Sequence, residues 1–231
     1  MDKINELDTV VLIDLDLRLV EANYELEVLD EHLDLLEKQF IDLSERDRLT
    51  TEAKLQTLAN EVDKDEFHWH NVDEVRWRHH EFVEVILPRL FRGPFMVSLW
   101  AVYESTVTEI ASHIKEDRGL ALGLEDIKGG DFLSPAKKYY EHILNFTLCS
   151  DNQTWERLRI LSVLRNSVAH GNGRFEMLRS NYQDKIKKWS GQHDGISIHS
   201  GYLVVSGPFL RDTFSVVKNS LEDLIERYKY L

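Results

Sequence analysis

Cysteine occurs once in this chain, at Cys149, so an internal disulfide framework is excluded and a reducing compartment suits it. Proline is also scarce, four residues in 231, and neither proline nor glycine interrupts residues 1–87. A stretch so free of breakers is open to long helices. Long hydrophobic runs are missing too. The longest, Phe95 to Tyr103, contains Ser98 and is too short to span a bilayer. The N-terminus is acidic from Asp2 onward and lacks the basic-then-apolar order of a secretory signal. These absences lead to the expectation of a soluble cytoplasmic protein with no membrane partner.

Positive charge is in short supply overall: 28 Lys and Arg face 41 Asp and Glu, a net of −13. Taken alone, that balance argues against a nucleic-acid partner. Its distribution argues otherwise. Residues 1–66 hold 7 basic and 20 acidic residues, whereas residues 67–231 hold 21 of each. Within the neutral part, the stretch from Trp155 to Ser190 has eight Lys and Arg against three acids. The expected organisation is an acidic N-terminal helical extension over 1–66 and a helical domain over 67–231.

The extension carries apolar residues at Leu12, Leu15, Leu19, Ala22, Leu26, Leu29, Leu33, Leu36, Phe40 and Leu43. Their spacing alternates three and four, the seam of a coiled coil. Further apolar residues at Val10, Val11, Ile13, Leu17, Val20 and Val28 widen the stripe, which also fits a helix packed along its own globular body. Both readings stay open at this point. Residues 44–88 read as continuing helix with a break between Asp63 and Asn71. The clusters Phe67-His68-Trp69-His70 and Arg76-Trp77-Arg78-His79-His80 suggest a metal. His68 and His70, however, are two apart and face different sides of a helix. The residues predict no metal and no cofactor, and the clusters read as an aromatic packing or dimer surface.

Beyond Gly93-Pro94 the pattern is that of a compact helical domain, with Pro94 suited to a first turn. Phe95, Leu99, Trp100, Tyr103, Val107, Ile110 and Ile114 make a nearly all-round apolar core helix. A glycine-rich loop spans Gly119 to Asp131. Ser134-Pro135 opens a helix through Leu144, and Thr154 caps the next, with Leu158, Ile160, Leu161 and Leu164 on its inner face. A short helix follows Asn181. Alternation around Ser200-Gly201 predicts a β-hairpin over 196–205, and Pro208 opens a last amphipathic helix.

The helix from Thr154 runs into Arg165-Asn166-Ser167-Val168-Ala169-His170-Gly171-Asn172-Gly173. A permanently charged guanidinium and an imidazole that titrates near neutrality suit chemistry at a phosphodiester. As a purely structural feature, the same residues make a favourable helix C-terminus. With the preceding helix Leu90–Ile114, including Trp100-Ala101-Val102-Tyr103-Glu104-Ser105, the stretch resembles the HEPN superfamily of helical ribonuclease and nucleotide-binding domains over about residues 85–231. The acidic extension lies outside the resemblance.

The resemblance implies an all-α bundle with one small hairpin and metal-independent cleavage of RNA. His170 would act on the ribose 2′-OH, Arg165 would stabilise charge on the phosphoryl group, and Asn166 would hold the histidine or a phosphate oxygen. The product would be a 2′,3′-cyclic phosphate. A homodimer would place two motifs face to face, in a toxin–antitoxin or antiviral defence setting with a cognate antitoxin or defence partner. Arg157, Arg159, Arg174 and Arg179 are candidate RNA contacts, and Glu104 and Ser105 candidate supports beneath the motif. The alternative is a non-catalytic helical adaptor or nucleotide-binding protein that oligomerises through its N-terminal extension.

Overall fold

A computed structural model describes residues 6–61 and 66–230, with the side chains of residues 6–19 and 66 left aside. It is all-helical apart from one two-stranded hairpin. Helix α1 (Glu6–Ala59) is a single long N-terminal helix. Next come α2 (Glu66–Glu81), one π-helical turn over Phe82–Ile86, and α3 (Leu87–Asp117). α4 (Leu133–Lys138), α5 (Asn152–Gly171) and α6 (Ser180–Ser190) follow. The hairpin strands are β1 (Ile196–His199) and β2 (Tyr202–Val205), and α7 (Gly207–Lys229) closes the chain.

The strands pair antiparallel from Ile196↔Val205 to His199↔Tyr202. Ser200 and Gly201 form the two-residue turn with φ of 49° and 80°, the left-handed pair that matches strand twist.

The chain divides into two compact units. One consists of Met1–Glu31, Ser98–Ser162 and Thr213–Leu231, the other of His32–Val97 and Val163–Asp212. The compositional change at residue 66 therefore lies inside the second unit. In the first unit, Trp100, Tyr103, Tyr139, Tyr140 and Phe214 are fully buried. The Tyr140 hydroxyl donates to the Val107 carbonyl at 2.6 Å, which satisfies the polar tip of a buried ring. In the second unit, Phe95, Leu164, Ile186, Trp189 and Leu203 are buried. Arg92 of α3 is buried with them and forms a two-pronged ion pair with Glu37 of α1, at 2.7 and 2.8 Å. It also donates to the Val205 carbonyl at 3.2 Å and stacks on the Phe40 ring. Each buried charge thus has a partner, the condition under which such burial is tolerated.

Of the two arrangements left open for the apolar stripe, packing within the same chain is the one found over Ala22, Leu26, Leu29, Leu33 and Leu36, which are buried without a second copy. The side chains of Leu12, Leu15 and Leu19 lie outside the described residues. α1 ends at Ala59 and α2 begins at Glu66; residues 62–65, where the break was expected to start, also lie outside them. Pro94 does not open a helix but sits inside α3. With no amide hydrogen, it cannot donate to the carbonyl of Leu90, so the α3 ladder lacks that bond. Gly93 serves packing: a Cβ there would stand 3.1 Å from Cγ1 of Val168 on α5.

The helix caps also differ from expectation. Asp151, not Thr154, caps α5 by accepting the Thr154 amide at 2.7 Å. Asp131 takes the Ser134 amide at 2.8 Å, the role expected of Ser134 itself. In both places an aspartate lies three residues earlier, and its carboxylate is the stronger acceptor for an orphan amide.

Among the described residues one helical stretch, within Phe67–Asp117, has an 18-residue window of mean hydropathy 1.3, enough by length and composition to cross a membrane, and half of that window is buried. In this fold its apolar residues Phe95, Leu99, Trp100, Tyr103, Val107, Ile110 and Ile114 are buried core.

Candidate functional site

The Arg165-to-His170 motif read from the sequence forms the last turns of α5, in the second unit. Leu164 and Ser167 face inward and are fully buried, Arg165 and Asn166 are half-buried, and His170 is exposed. The alternation follows from helical geometry, since Leu164, Ser167 and Val168 lie on the packed side.

Gly171 and Gly173 do not turn His170 back towards Arg165. α5 stays helical through Gly171, and the reversal comes afterwards, at Asn172 (φ 48°) and Gly173 (φ 76°). On a regular helix Arg165 and His170 then point about 140° apart, while Asn166 and His170, four apart, share a face within about 40°. One chain therefore presents an amide and an imidazole together, with its guanidinium on another side.

The helix end is tightly closed. The Asn172 amide donates to the Val168 carbonyl at 2.9 Å, and the Gly173 amide to the Ser167 carbonyl at 3.1 Å. The chain is then stitched to the hairpin. The Leu203 amide donates to the Gly173 carbonyl at 2.8 Å, the Phe175 amide donates to the Gly201 carbonyl at 2.9 Å, and Arg174 bridges Tyr202. Gly173 is needed for its left-handed φ; a Cβ there would meet the Leu203 carbonyl oxygen at 3.4 Å and the Arg89 stem at 3.6 Å, ordinary contact distances that show how closely both approach the turn.

This stitching gathers a group that sequence reasoning missed. The Arg89 guanidinium of α3 lies over the Tyr202 ring, 4.2 Å from its centre. Hydrogen bonds from Arg174 first, and from Arg89, hold the Tyr202 phenol below its ordinary value. Of this group only Arg174 was among the sequence candidates. Residues 89 and 202 are 113 positions apart, and no local pattern connects them.

The other candidates are spread out. Arg179 is exposed at the start of α6. Arg157 is half-buried and Arg159 is exposed near Glu156 at 3.6 Å; both belong to the first unit. Glu104 and Ser105 belong to that unit as well. There Glu104 accepts from the Trp100 indole at 2.6 Å, and the Ser105 hydroxyl donates to the Val102 carbonyl. Both line a cavity of about 610 Å³ with Glu21, Glu25 and Glu109. Burial, then repulsion from Glu21 and Glu109, raises the Glu25 carboxyl.

The histidine clusters pair with carboxylates. His68, buried, bonds Glu61 at 3.0 Å, and His79 bonds Asp47 at 2.6 Å, so α2 is clipped to the end of α1. Phe67, Trp69 and Trp77 remain largely exposed on α2.

Comparison with protein-family models, curated proteins and solved structures finds no match to this chain. The functional reading therefore rests on the residues and their geometry.

Proposed function

We propose that this chain is a HEPN-type, metal-independent endoribonuclease acting on cytoplasmic RNA as a homodimer. The observation that carries the reading is the placement of His170. It is solvent-exposed on the final turn of a helix whose other face is core, with Asn166 beside it and a pinned turn behind it. An exposed imidazole held on a rigid element is what general base catalysis asks for.

In the reaction the 2′-oxygen bonds to phosphorus and the bond from phosphorus to the 5′-oxygen breaks. The 2′-OH proton passes to His170, and the departing 5′-oxygen takes a proton from a second imidazole. Arg165 supplies electrostatic stabilisation of the phosphoryl oxygens. The divergence of Arg165 and His170 within one helix supports a site completed by a second copy, in which each chain's guanidinium meets the other's imidazole. The exposed cations Arg174, Arg179, Lys187 and Lys188 supply attraction for the RNA backbone. A toxin–antitoxin or antiviral setting, with a cognate inhibitor or trigger, is the biological context proposed for such an activity.

The test is cleavage of a mixed RNA substrate by the wild type, His170→Ala and Arg165→Ala. Each substitution should reduce the rate by about two to four orders of magnitude, and His170→Ala should do so without changing the melting temperature, since that side chain is exposed. Activity should persist in EDTA, DNA should resist for want of a 2′-OH, and products should end in a 2′,3′-cyclic phosphate. Wild-type cleavage by His170→Ala, or a requirement for a divalent ion, overturns the reading.

A further inference from the structure

We propose that Arg89, Arg174 and Tyr202 form a phosphate-binding site that grips the RNA backbone beside the motif. The inference rests on the nuclease reading for its choice of ligand, and its test does not depend on cleavage.

Two arginines meet at one phenol, Arg89 with its guanidinium over the Tyr202 ring at 4.2 Å and Arg174 bridged to Tyr202 through the backbone, and among the described residues neither forms an ion pair with a carboxylate. Like charges brought together without an acid form a site that lacks an anion. The nearby acids are otherwise occupied or directed: Glu81 accepts from the Ser200 hydroxyl at 2.8 Å, and Glu176 is exposed. The Arg89 Nε is buried and makes no hydrogen bond among the described residues, so part of its donor fork is unused.

Position supports the same conclusion. The Arg89 stem rests on Gly173, three residues beyond His170, and Arg174 is the next residue in the chain. Backbone bonds from Gly173 to Leu203 and from Phe175 to Gly201 fix the hairpin, and so Tyr202, against this turn. The site is thus preorganised on the same rigid turn that ends the motif. Arg174 is exposed and Tyr202 half-exposed, so an incoming phosphate can reach both. Without ligand the phenol oxygen serves as the acceptor for the two forks. A phosphodiester oxygen, carrying a full share of charge, is a better one.

The experiment measures binding of a random ten-nucleotide 2′-O-methyl RNA, which cannot be cleaved, by fluorescence anisotropy across a salt series. Arg89→Gln and Arg174→Gln should each weaken binding about tenfold. Each should also flatten the salt dependence by about 0.7 in the log–log slope, the loss of one phosphate contact on a single strand. Arg174→Lys, which keeps the charge without the fork, should recover the slope but not the full affinity. A spectroscopic readout checks the site itself. The low-titrating phenolate signal, assigned by its loss in Tyr202→Phe, should move up when the RNA is bound, because its donors have turned to the phosphate.

Unchanged affinity and slope in both Gln variants, with melting temperatures like the wild type, overturn the proposal, as does a wild type that binds no RNA. Competition by inorganic phosphate as strong as by the oligonucleotide assigns the site to a small free phosphate and overturns the RNA assignment. Absence of cleavage together with the predicted binding losses removes the nuclease reading and leaves this site standing.

Discussion

Arg92 shows how much one side chain can organise. Its guanidinium is nearly all buried, and Glu37, the Val205 carbonyl and the Phe40 ring occupy its surroundings. Replacing it with leucine leaves the Glu37 carboxylate without its fork and should cost about 3–5 kcal/mol in a denaturant titration. The double variant Arg92→Leu with Glu37→Leu should recover much of that, because it removes the stranded charge as well. A loss as large in the double variant would mean that packing on Phe40, not the ion pair, dominates. His170 is the opposite case. It is exposed and should be silent in the same titration, although it is central to the proposed chemistry. This residue-scale contrast was only half legible in the sequence. Arg165, Asn166 and His170 stood out as a spaced set on one helix, whereas Arg92, Arg89 and Tyr202 take their meaning from partners more than fifty positions away.

At the scale of elements, α5 matters most because it carries the motif at one end and its cap at the other. Hydrogen bonding from Thr154 holds the Asp151 carboxyl below its ordinary value. A depressed carboxyl stabilises the fold above its unfolded pKa, and that stability is lost as pH falls through the folded value. The melting temperature should therefore drop in acid more steeply for the wild type than for Asp151→Asn, which keeps a capping acceptor but does not titrate. Parallel pH profiles for the two proteins would contradict this role. The hairpin, the final helix and the course of α5 were all readable, because alternation, turn residues and apolar spacing act locally. The caps and Pro94 were misread for a related reason. An aspartate three residues upstream competes with a nearby Ser or Thr for the same amide, and a proline's fate depends on whether water reaches the carbonyl it leaves behind.

On the scale of the whole molecule, the sequence left open what covers the leucine seam of the extension. Period and polarity specify an apolar stripe but not the chain that meets it. In the fold, residues 22–36 of the seam are buried by their own chain, so removal of residues 1–66 should unfold the protein instead of merely changing its oligomeric state. Loss of a cooperative melt in that truncation is the expected result. A well-folded, RNA-cleaving fragment 67–231 would show that α1 is dispensable. Sedimentation of the full chain at micromolar concentration should give a dimer, with the motif rather than the buried seam at the contact; a monomer that still cleaves would rule out the shared site.

The order in which these partners leave the ribosome has a consequence for folding. Glu37 emerges well before the Val205 carbonyl that completes the Arg92 cluster and the Leu203 amide that pins the turn after His170. At about 5–20 residues per second, that interval lasts on the order of ten seconds. Arg211, which bonds Asp34 of α1, is made later still. A nascent copy thus holds the whole of α1, α3 and α5 before the hairpin that pins the turn after α5 exists.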